Sequence, residues 1–257
     1  MTAPVKDVSA RLPGTWEERL VADRERALRN QTAELAAITA EMETRCRSAG
    51  SAGLVLTGST ARGRRTRVSD LDYHVVGAKP EIRDLPQDID LYSDSPHEFA
   101  AKLQAGDDFV HWTVRYGCIL FDDGTVQNAA ELILERELWP DVDRKLGQAR
   151  RTLAFAERLI DSGDYDAALE HTRGALSLTA RWWLLRHHVL PLARDELSGQ
   201  LRNLGCDELA DGLHGSIHER PAQRLLRDSV AAARALTETR RSGLIATCAA
   251  CARSSAG

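Results

Sequence analysis

Leu54-Val55-Leu56-Thr57-Gly58-Ser59-Thr60-Ala61-Arg62-Gly63-Arg64-Arg65-Thr66-Arg67-Val68-Ser69-Asp70-Leu71-Asp72-Tyr73-His74-Val75-Val76 is the stretch that decides the fold. An apolar β-prone run, 54–56, ends in Gly58-Ser59, and a loop with four arginines follows (Arg62, Arg64, Arg65 and Arg67). Ser69-Asp70-Leu71-Asp72 then heads a second apolar run, 71–76. Each part has a physical use. A Gly-Ser turn at a strand end lets backbone N–H groups and a hydroxyl approach phosphate oxygens closely. Asp70 and Asp72 stand at i and i+2, a spacing that puts both carboxylates of an extended chain on one face. Two hard oxygen ligands side by side suit Mg²⁺, which binds one or two carboxylates together with substrate phosphates.

Working outward, further short β-prone runs are expected at Ile89–Tyr92 and Cys118–Phe121. A third acid on a neighbouring strand would complete a two-metal site. Asp90, between the apolar Ile89 and Leu91, is the best candidate. Asp88 shares its strand face but lies nearer the strand's start, and Asp94 is expected beyond the strand's end.

Before this segment, residues 15–48 read as one long helix. Thr15 and Glu18 form a capping-box signature, Leu28, Leu35, Ile38 and Met42 recur at helical spacing, and Gly50 and Gly53 close it. A second capping box, Ser95 and Glu98 with Pro96 between, opens a helix ahead of the last strand. Beyond Val126 the pattern is helical almost throughout. Helices are expected over 126–138, 142–162, 165–190, 193–204 and 221–250, separated at Pro140, Gly163, Pro191, Gly205 and Pro221. The expected fold is therefore α+β: a small mixed β-sheet domain with flanking helices over 1–139, then an all-α helical bundle over 140–257.

Length and composition agree. At roughly 100–200 residues per domain, 257 residues allow one large or two modest domains. Hydrophobic residues make up 43% and charged residues 28%, which excludes a disordered or fibrous chain. No stretch approaches ~20 uninterrupted apolar residues, so no membrane-spanning helix is expected. The opening MTAPVKDVSA lacks an apolar signal core, and a cytoplasmic location is expected. Five scattered cysteines (Cys46, Cys118, Cys206, Cys248 and Cys251) do not form a disulfide framework. Cys248 and Cys251 have metal-like spacing with no partner pair nearby, so they read as a helix end.

The net charge of −4 argues against indiscriminate nucleic-acid binding. Residues 1–143 hold 17 basic and 25 acidic side chains, and 144–257 hold 17 and 13. An acidic first part suits cations, whether metal ions or a polyamine.

Gly58-Ser59, ten intervening residues, Asp70-Leu71-Asp72 and a later Asp90 together resemble the nucleotidyltransferase superfamily of the polymerase-β type. That superfamily includes the minimal and the aminoglycoside nucleotidyltransferases. The resemblance covers about residues 50–123, and the family often carries a helical C-terminal domain. It implies that Gly58 and Ser59 bind triphosphate. It also makes Asp70 and Asp72 metal ligands, with Asp90 as third ligand or general base. Arg62, nearest the turn, is expected to neutralise phosphate charge, and Ser69 completes the nucleotide-binding set. The cofactors implied are two Mg²⁺ ions, with an NTP as substrate. ATP, transferring AMP, is the family's habit.

The acceptor is expected to be a hydroxyl of a small molecule, an aminoglycoside-like polycation, held in a cleft between the domains. The four-arginine loop keeps open an alternative acceptor, tRNA or a partner protein. A non-catalytic, antitoxin-like nucleotide-binding module is a third reading, opposed by the intact set of three acids. Asp107-Asp108 reads as a helix N-terminus and Asp122-Asp123-Gly124 as a turn. Arg181 and His187 resemble the Arg–His pair of HEPN-type RNases, but Trp182 stands where that pattern is polar, and chance spacing is the reading adopted. Trp182 is expected in a helical core, and His214 and His218 in a surface loop.

Overall fold

The computed structural model describes residues 15–66, 69–85, 89–218 and 223–238. The architecture is the α+β one expected, with a small mixed sheet and flanking helices in one unit and helices alone in the other. The two compact units meet in sequence between Asp141 and Val142.

Helix α1 (Trp16–Arg29) opens on the expected capping box. The Thr15 hydroxyl accepts from the Glu18 N–H at 3.3 Å, and the Glu18 carboxylate accepts from the Thr15 N–H at 2.8 Å. The single helix expected over 15–48 is in fact two, because the chain breaks at Asn30–Thr32 and α2 runs from Ala33 to Ala49. Asn30 leaves helical geometry and donates its side-chain amide to the Ala61 carbonyl at 3.0 Å. Thr32 is extended and its hydroxyl caps α2 at the Leu35 N–H. The apolar spacing runs on across the break, which hides it, yet Leu28 is 60% exposed while Leu35, Ile38 and Met42 are buried. The break lets α1 pack on one strand and α2 on another.

After Gly50, left-handed at φ +78°, come β1 (Ser51–Leu56), the one-turn α3 (Gly58–Ala61), β2 (Leu71–Gly77) and β3 (Ile89–Asp94). Helices α4 (Pro96–Gln104) and α5 (Asp108–Tyr116) lead to β4 (Cys118–Asp122) and α6 (Thr125–Glu135). Ser95 and Glu98 form the second capping box. The sheet order is β3-β2-β1-β4, with β2 and β3 parallel and the other pairs antiparallel.

Period-two alternation divides the apolar residues of β1 and β2 between two cores. Leu54, Leu56, Leu71, Tyr73 and Val75 pack with Leu35, Ile38, Met42 and Cys46 of α2. Val55, Val76 and Ile119 pack with Phe99, Leu103, Val110 and Val114 of α4 and α5. Since β1 is central, Leu54, Val55 and Leu56 are fully buried. Strand β3 is an edge. Contrary to expectation it includes Asp94, which is buried because His74 and Lys102 hold its carboxylate.

The second unit comprises α7 (Val142–Ser162), α8 (Tyr165–Arg186), α9 (Arg194–Asn203), α10 (Asp207–His218) and α11 (Gln223–Glu238). Its core joins Leu153, Leu176 and Leu184 with Leu197, Leu201, Leu213 and Val230. Trp182 is fully buried, as expected. Helix α8 stops before the expected residue 190, because His188 takes a left-handed φ of +56°. The loop expected around His214 and His218 is helical instead. Burial of Leu209, Ala210 and Leu213 outweighs the cost of about 1 kcal/mol for each of Gly212 and Gly215. Arg181 donates to the Leu192 carbonyl and His187 contacts the Trp183 carbonyl, so each is engaged in shaping the end of its helix. The pair Cys248 and Cys251, and the end of the helix expected over 221–250, lie outside the described residues. No helix of the described residues is long and apolar enough to cross a membrane.

Candidate active site

The site is built where β1 ends beside the start of β2. The Thr57 N–H donates to the Asp72 carbonyl at 2.8 Å, and its hydroxyl reaches the same oxygen at 3.2 Å. The chain then turns through Gly58 at φ +65° into α3. A Cβ on Gly58 would overlap Oδ2 of Asp72 and stand 2.7 Å from its Cγ. Glycine is therefore required twice over, for the left-handed backbone and for the space that the carboxylate occupies. The N–H groups of Gly58, Ser59 and Thr60 open α3 and have no carbonyl of the same helix to bond.

Asp72 and Asp90 are register partners across the parallel β2–β3 pair, so their side chains share one face. Asp70 is exposed, just ahead of the first residue of β2. Burial, then the negative charges of Asp90 and Asp70, pushes the Asp72 carboxyl up to about 6. Both neighbouring acids thus act electrostatically on Asp72. Among the described residues, however, no three His, Cys, Asp or Glu side chains are gathered into a metal cage. The donor set fits Mg²⁺ on its chemistry: paired hard carboxylates whose mutual repulsion a divalent cation would relieve, with the remaining positions filled by phosphate oxygens and water.

The arginine loop is partly committed to itself. Arg65 donates to the carbonyls of Ser69 at 2.8 Å and Thr66 at 3.2 Å. The Ser69 hydroxyl accepts from the Thr66 N–H at 3.0 Å and meets the Thr66 hydroxyl at 2.9 Å, so Ser69 shapes the loop. Arg62 is half-buried at the end of α3, and the Arg64 N–H donates to the Ser59 carbonyl, which ties the loop back to the turn. Arg67 and Asp88 lie outside the described residues.

Asp107 caps α5 by accepting from the N–H groups of Phe109 and Val110. Asp122 accepts from the N–H groups of Val126 and Gln127, and Asp123 from Thr125, so these acids shape a turn and a helix start.

Sequence reasoning missed an aromatic and polar group beside the acids. Tyr92, two residues along β3 from Asp90, donates its hydroxyl to Asp90 Oδ2 at 3.1 Å. Its ring lies 4.8 Å from that of Phe109, which stacks on His74 at 5.2 Å. His74 is fully buried, with Thr113 Oγ1 at 3.3 Å and Asp94 Oδ2 at 3.1 Å from its two nitrogens. Burial pulls His74 below the usual imidazole range, and burial with the neighbouring Asp90 holds the Tyr92 phenol above its own. The available signal was parity, since Asp90, Tyr92 and Asp94 alternate along one strand face.

No family model and no curated protein matches the chain. Among solved structures it is similar to a nucleotidyltransferase-like protein from Exiguobacterium sibiricum, at 17% identity over 81% of this chain and 76% of that one, with a TM-score of 0.44.

Proposed function

We propose that the protein is an Mg²⁺-dependent nucleotidyltransferase that moves NMP, AMP from ATP, to a hydroxyl of a small-molecule acceptor. The observation that carries this reading is the junction of turn and acids. The Gly58 backbone lies against the Asp72 carboxylate, and Asp72 stands in register with Asp90. A phosphate placed on the free N–H groups of Gly58 and Ser59 would thereby lie beside the two carboxylates. Without a cation in the same place such an arrangement would repel a triphosphate.

Asp70, Asp72 and Asp90 would hold Mg²⁺, which supplies neutralisation of phosphate charge and a more acidic acceptor hydroxyl. Gly58 and Ser59 orient the phosphates, and Arg62 adds positive charge as the pyrophosphate leaves. Asp90, exposed at the sheet edge, takes the proton of the attacking hydroxyl. The excess of acid over base in residues 1–143 favours a polycationic acceptor such as an aminoglycoside.

The test is pyrophosphate release with Mg²⁺ and each of the four NTPs. It is run with no acceptor, with an aminoglycoside panel or with total tRNA, and Asp72→Asn serves as the blank. Release with ATP that depends on an aminoglycoside is the expected result. Release that depends on tRNA would keep the chemistry and change the acceptor class. Binding of NTP·Mg²⁺ without release in any well would favour a regulatory module. Absence of both would end the reading.

A further inference from the structure

Asp90 presents a problem for the chemistry assigned to it. It is exposed on an edge strand, and its neighbour in register is another carboxylate. Left to itself, an exposed aspartate beside a like charge would rotate toward water and away from Asp72. Tyr92 opposes that rotation, because its hydroxyl donates to Asp90 Oδ2 from two residues along the same face. Tyr92 is itself 46% exposed, so burial alone does not fix it. The ring is fixed from behind. It rests on Phe109, Phe109 stacks on His74, and His74 is held between Thr113 and Asp94. Lys102 in turn neutralises Asp94. A chain of packed rings and polar contacts therefore runs from the interior of the sheet face out to one carboxylate oxygen.

We infer that Tyr92 is a positioning residue that holds the Asp90 carboxylate beside Asp72, with Phe109 and His74 bracing its ring, an inference that rests on the function proposed above. The Asp90 oxygen that Tyr92 does not occupy remains open to a cation or an acceptor proton. A hydrogen bond to a charged group on this scale changes an equilibrium by roughly tenfold.

A double-mutant cycle on the full-length protein tests this, with Mn²⁺ as the probe. Its dissociation constant is read by electron paramagnetic resonance in the presence of a non-hydrolysable ATP analogue. The variants are Tyr92→Phe, Asp90→Ala and the pair together, with Asp72→Asn as reference. Tyr92→Phe keeps the ring on Phe109 and removes only the donor. It should weaken Mn²⁺ binding roughly tenfold in the wild-type background, and change it less than about twofold once Asp90 is gone. A structural role would give the same loss in both backgrounds. Such an equal loss, or no loss in the wild-type background while Asp90→Ala weakens binding, overturns the positioning role and leaves the function standing. If Asp72→Asn and Asp90→Ala both bind Mn²⁺ as the wild type does, the site assignment fails and the positioning role fails with it.

Discussion

The two faces of β2 differ sharply. Leu71, Tyr73 and Val75 point to one side, are fully buried, and meet the apolar face of α2. Asp72, His74 and Val76 point to the other side. There the chain passes from a half-buried carboxylate, through an imidazole fixed by two polar partners, to an aliphatic core residue. One face supplies stability, and the end of the other carries acids proposed to do the chemistry. The contrast is a consequence of the strand's period of two, which lets alternate residues answer to different requirements without conflict. It also means that stability and activity should respond to different substitutions.

The largest effect should come from the face that bears Asp72. Asp72→Asn is expected to lower pyrophosphate release by roughly a thousandfold or more while the protein stays folded. Its effect on stability has the opposite sign. The folded-state pKa of Asp72 is raised to about 6, so at pH 7 the ionised side chain works against folding. Removing its charge should therefore stabilise the fold by about 1 kcal/mol, after allowance for partial exposure. That gain should fade as pH falls through 6 toward 4, where wild-type Asp72 takes up its proton. Denaturant unfolding at pH 7 and pH 4.5 checks both statements, and a destabilised variant at pH 7 would break the comparison.

On the apolar face the pattern should invert. Leu71→Ala is expected to cost roughly 3 kcal/mol in urea unfolding, with turnover per folded molecule nearly unchanged. A loss of turnover matching that of Asp72→Asn would mean that the two faces are not separable.

His111, buried on α5, gives a pH test of the face that carries the candidate site. Burial, with Arg115 nearby, pulls its pKa down to about 4. Its neutral form therefore supports folding above the unfolded value near 6.5, and that support is lost as pH falls from there toward 4. The wild type should lose up to about 3 kcal/mol over this interval from His111. In His111→Asn that part of the slope should be absent when unfolding is followed against pH. The smallest expected effect is that of Tyr73→Phe. It removes the 2.8 Å bond between Tyr73 and the Thr39 hydroxyl, and should cost about 1 kcal/mol of stability with turnover unchanged.

These cases also separate what was legible in the sequence from what was not. The Gly58-Ser59 turn was legible because a glycine at a strand end, followed by an acid pair ahead of an apolar run, is a local pattern with a local cause. The capping boxes at Thr15 and Ser95 were legible for the same reason: donor and acceptor lie three residues apart and meet whatever the rest of the chain does. The helix break at Asn30–Thr32 was hidden, because it depends on Ala61, a residue distant in sequence whose carbonyl takes the Asn30 side chain. The same limit hid helix α10, whose glycines disfavour it locally and whose leucines secure it only against neighbouring helices.

By itself, then, the sequence determined the fold class and the two strands and turn that frame the candidate acids. The tertiary structure alone decided that Asp90 stands opposite Asp72, that Asp94 is a buried partner of His74 and Lys102, and that Tyr92 reaches Asp90. The reason is physical. Caps, turns and periodicity draw on interactions between near neighbours in the chain. Strand register and ring packing are settled by the burial of both sheet faces at once, which no short stretch of sequence contains.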